Sequence, residues 1–109
     1  METNLTLKAL AALSHETRLA AYRFLVQAGP DGLPVGELRE RLAVPAATLT
    51  AHLNTLRAAD LVHDRRDGRV IRVRANYARM NGLVNYLTEN CCGGATACDP
   101  TPCCTPDQE

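Results

Sequence analysis

The sequence predicts a mainly α-helical protein with a small β-hairpin: a winged helix-turn-helix of five helices plus a two-stranded wing, assembled as a homodimer. Three observations carry this. Apolar residues recur at helical spacing in five separate stretches. An Asp-Gly pair, Asp67-Gly68, divides two β-branched, arginine-bearing runs. Hydrophobic residues make up 46% of the 109 residues but aromatics only 4%, so the core must be built from Leu, Val and Ala. A chain this short buries roughly 60–65% of its unfolded surface on folding, and pairing two copies is a natural way to bury more.

The elements follow in order. Leu5, Ala9, Ala12 and Leu13 share one face of a first helix. Ser14 is placed to cap a second, with Glu16 near its positive end and Leu19, Tyr22 or Arg23, and Val26 down one side; Gly29-Pro30 stops it. Asp31 to Pro34 reads as a loop. A brief third helix, 35–42, buries Leu38 and Leu42, and Pro45 suits the first turn of a fourth, 46–59. Leu49, Leu53 and Leu56 at i, i+4, i+7 fix the buried side of that fourth helix, so Ala47, Ala51 and Asn54 face away. Thr48 and Thr50 flank the outward face, and His52 lies about 60° from the buried stripe, a packing position from which it is also a candidate contact. His15 and His63 read as ordinary surface residues. The runs 61–66 and 69–74 form the hairpin, and Met80, Leu83, Val84 and Leu87 mark a last helix, 77–89. From Cys92 onward, Gly93-Gly94 and three prolines leave no helix or strand pattern, which divides the chain into a body, 1–91, and a cysteine-rich tail, 92–109.

Twelve basic and twelve acidic residues cancel, but they are not mixed. Residues 57–80 hold seven Arg against three Asp, and residues 81–109 hold four acids and no base. No stretch resembles a signal peptide or approaches the roughly 18 apolar residues of a membrane span, so a cytoplasmic protein without a membrane partner is expected. Catalysis is not expected either, because no hydroxyl or thiol stands beside a base at motif spacing.

A helix-turn-helix followed directly by an arginine-rich hairpin has the physical logic of a DNA reader. An exposed helix with small side chains enters the major groove, while Arg65, Arg66 and Arg69 at the hairpin tip reach phosphates or the minor groove. Thr48 and Thr50 are suited to hydrogen bonds with bases or phosphates, and Ala47 or Ala51 to a thymine methyl; His52 completes the candidate interface. Double-stranded operator DNA is the expected partner, alongside a second copy of the chain.

The segments Leu13-Ser14-His15-Glu16-Thr17-Arg18-Leu19, Val44-Pro45-Ala46-Ala47-Thr48-Leu49-Thr50-Ala51-His52-Leu53, and Leu56 to Val62 with Asp67-Gly68-Arg69 resemble the ArsR/SmtB family of bacterial metal-responsive winged-helix repressors. The resemblance spans about residues 5–90. It implies homodimers joined through the first and last helices, which leave their operator when a metal or metalloid fills a sensor site. The chain departs from the family at Ala46 and Ala47, where members often carry Gln and Ser. It also lacks the Cys-x-Cys that arsenic repressors commonly place in the helix-turn-helix, since Val35-Gly36-Glu37-Leu38 stands there, and it lacks the His and Asp ligands of zinc sensors in its last helix.

All five cysteines fall at 91, 92, 98, 103 and 104. Three chemistries compete for them. Structural zinc uses Cys-x₂₋₄-Cys loops, which the Cys-Cys-x₅-Cys-x₄-Cys-Cys order does not supply. A redox switch needs a thiolate activated by cations or a helix N-terminus, whereas Cys91 and Cys92 follow the negative end of a helix within an acidic segment. A thiophilic metalloid fits best. Adjacent cysteines have Cα atoms about 3.8 Å apart, too close for an easy mutual disulfide, yet both sulfurs can turn to one large soft atom, and Cys98 can return past Gly93-Gly94 as a third. Trivalent arsenic or antimony, As(III) or Sb(III), takes three thiolates in a pyramid, making Cys91, Cys92 and Cys98 the candidate ligands; the Cys-Cys-x₅-Cys spacing resembles that of family members whose arsenic site lies at the end of the chain. The expected function is a metalloid-responsive repressor. The alternatives are a zinc- or redox-responsive repressor of the same fold, or a metal-sequestering protein, for which a basic wing would have no use.

Overall fold

The computed structural model describes residues 2–90, and within them the chain forms helices α1 (Thr3–Leu13), α2 (Glu16–Ala28), α3 (Val35–Leu42), α4 (Ala46–Ala58) and α5 (Tyr77–Thr88) with strands β1 (Leu33–Pro34), β2 (Val62–Asp67) and β3 (Val70–Ala75). The five helices stand where helical periodicity puts them. Five leucines, Leu25, Leu38, Leu49, Leu53 and Leu56, are almost fully buried together with Leu61 and Val73, so the core joins α2, α3 and α4 to the root of the hairpin. None of the described helices is long and apolar enough to cross a membrane.

Several details differ from expectation for local reasons. Ser14 closes α1, and the cap of α2 is His15, whose Nδ1 accepts from the backbone N–H of Thr17 at 3.1 Å. The buried side of α2 is Ala21, Tyr22 and Leu25, leaving Leu19 outside. In α1 the inward side is Thr6, Ala9 and Ala12; the small alanines let α1 lie close to its neighbours, and Leu5 turns outward with Leu7 and Leu10. Tyr22 is buried with its hydroxyl unpartnered among the described residues, and desolvation, with Tyr77 beside it, pushes its pKa up to about 12.

The wing is the larger correction. Leu33 and Pro34, expected in a loop, pair antiparallel with Val73 and Arg72, so the sheet has three strands in the order β1-β3-β2. A two-residue strand carries no periodicity, and proline is tolerated because β1 is an edge. Arg72 secures the junction by donating to the carbonyls of Asp31 and Gly32 at 3.0 and 3.2 Å. The hairpin turn is shifted by one residue from Asp67-Gly68: Asp67 pairs with Val70, and Gly68-Arg69 forms the two-residue loop, with Gly68 at φ 66°, where a tight hairpin needs glycine.

Gly32 stands at φ 67°, and a Cβ there would collide with the carbonyl of Val73. The sheet approaches this backbone more closely than any side chain allows. Gly32→Ala is therefore expected to destabilise the fold by about 2 kcal/mol or more, combining left-handed strain with displacement of β1. Urea unfolding checks this; a midpoint equal to that of the parent would mean the three-stranded register does not form.

Candidate nucleic-acid interface

The helix-turn-helix is α3 and α4 joined by Ala43, Val44 and Pro45. Ala43 adopts a left-handed conformation, φ 55° and ψ 47°, and its N–H donates to the carbonyls of Arg39 and Glu40, which turns the chain sharply after α3. Pro45 then starts α4 with fixed φ and no N–H to satisfy. Burial of Leu49, Leu53 and Leu56 rotates the opposite side outward: Ala47, Thr48, Thr50, Ala51 and Asn54 are all exposed. The outward surface is shallow, with Asn54 its longest side chain.

His52 lies between the two faces and is half-buried. Its Nδ1 is 3.4 Å from Nη1 of Arg18, and its ring centroid lies 4.6 Å from that of His15. Arg18 also donates from Nε to the carbonyl of Ala12 at 2.6 Å. His15, Arg18 and His52 thus tie the end of α1 and the start of α2 to the middle of α4. Desolvation, followed by the charges of His15 and Arg18, holds His52 below the usual histidine range, so its neutral form is favoured. The packing role expected of His52 is what these contacts describe, and His15, expected at the surface, is exposed there and also caps α2 and lies against His52.

The wing presents Arg65, Arg66 and Arg69 to solvent. Arg65 lies opposite Arg72 across the ladder and Arg66 opposite Ile71, so the two neighbouring arginines leave the sheet on opposite sides. Not all of the basic segment is available. Arg57 pairs with Asp64 at 3.0 Å and Arg79 with Asp60 at 2.8 Å, while Arg72 is held by carbonyls of the β1 junction. Among the described residues Arg65, Arg66, Arg69 and Arg74 have no ion-pair partner, so free charge gathers on the hairpin.

Helix and wing are tied at their roots. Arg57, on α4, donates from Nε to Asp64 of β2 and from Nη1 to Oδ1 of Asn54 at 2.9 Å. A second junction follows α4: Asp60, at φ 61°, accepts from Arg79, and its carbonyl accepts from Nδ2 of Asn76, which caps α5 by accepting from the N–H of Arg79. Neither junction is visible in residue spacing, because seven and nineteen positions separate the ion-pair partners. The candidate metalloid ligands Cys91, Cys92 and Cys98 lie outside the described residues. Among the described residues, no three His, Cys, Asp or Glu side chains cluster as a metal site.

A helix-turn-helix domain family matches residues 13–65, which covers α2, the helix-turn-helix and the first part of the wing. Among solved structures, an ArsR-like transcriptional regulator from Rhodococcus sp. RHA1 is 34% identical and superposes with a TM-score of 0.69, covering 77% of this chain and 76% of that one. The transcriptional repressor BigR from Xylella fastidiosa is 33% identical, with a TM-score of 0.63 over 78% of this chain and 84% of its own. The homodimeric winged helix-turn-helix DNA-binding domain from Mycobacterium bovis shares the fold at 23% identity and a TM-score of 0.62, over 80% of this chain and 81% of that domain. Among curated proteins, no sequence match is found.

Proposed function

The chain belongs to the ArsR-like family of transcriptional regulators, which are not enzymes, and from that premise we propose that it is a homodimeric repressor of a metalloid-resistance operon, released from operator DNA when arsenite or antimonite binds Cys91, Cys92 and Cys98. The observation that supports DNA binding is the pairing, on one protomer, of a shallow exposed helix face with a hairpin on which Arg65, Arg66 and Arg69 are exposed and have no ion-pair partner among the described residues. Ala47, Thr48, Thr50 and Ala51 approach the major groove, His52 supports the helix from behind and borders the groove, and Arg65, Arg66 and Arg69 meet backbone phosphates. The ligand reading is supported by the thiol sequence itself: three cysteines in Cys-Cys-x₅-Cys order match the three bonds of a trivalent metalloid.

Dimerisation is supported by the apolar side chains that the protomer leaves outside. Leu5, Leu7 and Leu10 on α1 and Val84 and Leu87 on α5 are 40–59% exposed, although they belong to two helices that pack on each other, with Thr3 and Tyr86 hydrogen-bonded at 2.6 Å. Two such faces meeting about a two-fold axis place one recognition helix in each half-site, with half-sites about 34–36 Å apart or a multiple of that. The Mycobacterium bovis domain of this fold is homodimeric.

The test is a mobility shift on the DNA upstream of the chain's own gene, with and without arsenite, over a series of salt concentrations. A shift that arsenite reverses is the expected result. Substituting Arg65, Arg66 and Arg69 with Ala is expected to weaken binding to every duplex and to flatten the salt dependence by about one unit of slope for each phosphate no longer neutralised. A complex indifferent to arsenite rejects the ligand assignment, and an unchanged slope rejects the wing as a phosphate-binding element.

A further inference from the structure

Asn54 is the only carboxamide on α4, and one end of it is already committed. It occupies the outward stripe with Ala47 and Ala51, at i, i+4, i+7, and its Oδ1 accepts from Nη1 of Arg57 at 2.9 Å. Arg57 is itself anchored, with Nε on the carboxylate of Asp64 at 3.0–3.1 Å. Arginine carries donors and no acceptor, so only the amide oxygen can face it. The orientation of the amide is thereby set by chemistry. Nδ2, with two N–H donors, has no protein partner among the described residues.

We propose that Asn54 is a specificity-determining residue that presents its two free Nδ2 donors to the major groove and selects guanine. The proposal rests on the DNA reading above and deepens it. A free asparagine pairs bidentately with adenine, giving its N–H to N7 and taking one from N6. Arg57 takes one of the two lone pairs of that oxygen and draws it toward its own side chain, so the acceptor that adenine N6 needs is already engaged while both Nδ2 donors are open. Guanine offers two adjacent acceptors, O6 and N7, and no donor on that part of its edge. Size favours this pairing as well: Ala46, Ala47 and Ala51 add no bulk, so the helix can approach closely enough for this short side chain to reach a base. Arg57 is the positioning residue. It fixes which atoms Asn54 shows and, through Asp64, the angle between helix and wing.

The experiment is selection from a pool of random-sequence duplexes by the full chain and three variants, with each variant's melting temperature compared to that of the parent. The parent is expected to enrich guanine at one position of each half-site. In Asn54→Ala that preference collapses to within about twofold among the four bases while other positions keep theirs, and the best duplex is bound about five- to tenfold more weakly, as the amide's donors are lost and the guanine acceptors turn to water. Asn54→Asp keeps an oxygen for Arg57 but has no donor, and loses guanine in the same way. Arg57→Met frees the amide, so adenine rises at that position. A uniform loss across all duplexes with the guanine preference intact would make Asn54 a phosphate ligand and overturn the assignment, as would an Arg57→Met protein that still selects guanine. A parent chain that enriches no sequence overturns the DNA reading itself.

Discussion

Serine at Cys91, Cys92 or Cys98 is expected to leave operator affinity intact and to abolish release by arsenite. The effect is large because a repressor that passes from about 99% competent to about 1% needs a ligand preference near 10⁴-fold between its two states, about 5.5 kcal/mol. A pyramidal three-thiolate centre loses a third of its bonds with each substitution. Serine at both Cys103 and Cys104 should change little, since the three-sulfur site is complete without them. A monomethylated arsenical, with two bonds to offer, should still act on the Cys98→Ser protein through Cys91 and Cys92. Titrations with and without operator duplex supply a second measurement: by linkage, DNA must weaken arsenite binding by the same factor by which arsenite weakens DNA binding. Normal release of the Cys98→Ser protein by inorganic arsenite, or a failed response in the Cys103, Cys104 double variant, would reassign the ligands.

The second large effect is expected on the face shared by α1 and α5. Leu7 and Leu87 are 58% and 59% exposed in the protomer, so Leu7→Glu together with Leu87→Glu should cost the isolated fold little. Four carboxylates brought into an apolar interface should instead split the dimer. Losing the second half-site removes the gain from linked binding, so operator affinity should fall by about 10²–10⁴-fold. Sedimentation gives the mass, circular dichroism shows the helices are retained, and the mobility shift gives the affinity. A variant that remains dimeric at micromolar concentration would place the interface elsewhere.

The helices were legible because leucine periodicity and punctuation by Gly29-Pro30 and Pro45 act over short range. The orientation of α4 was legible for the same reason: three leucines on one side determine what the other side shows. β1 was not, because two residues cannot display a period and their pairing depends on a strand some forty positions later. The cap of α2 falls one residue from its expected place, since Ser14 is the commoner capping residue and only the geometry of the α1 end gives the role to His15. Leu5, Val84 and Leu87 fitted their helical stripes, but periodicity does not distinguish a residue buried in its own protomer from one left for a partner. Net charge misled in a similar way: of the seven arginines in residues 57–80, Arg57, Arg72 and Arg79 are engaged internally. Pairs such as Arg57 with Asp64 and Arg18 with His52 join residues whose separation follows no repeat.

The short strand β1 also limits how such a protein can move. The chain leaves the sheet at Pro34, builds the whole helix-turn-helix and returns to the same sheet at Val62 on β2, so α3 and α4 are enclosed in a loop whose two ends, β1 and β2, both pair with β3. Arg57 braces that loop from within. Recognition helix and wing are therefore linked twice, so a tilt of one against the other works against the Arg57–Asp64 pair and the pairing of β1. In a dimer this makes the angle between the two protomers the coordinate that sets how far apart the two wings and recognition helices stand, and so whether both meet the double helix in register.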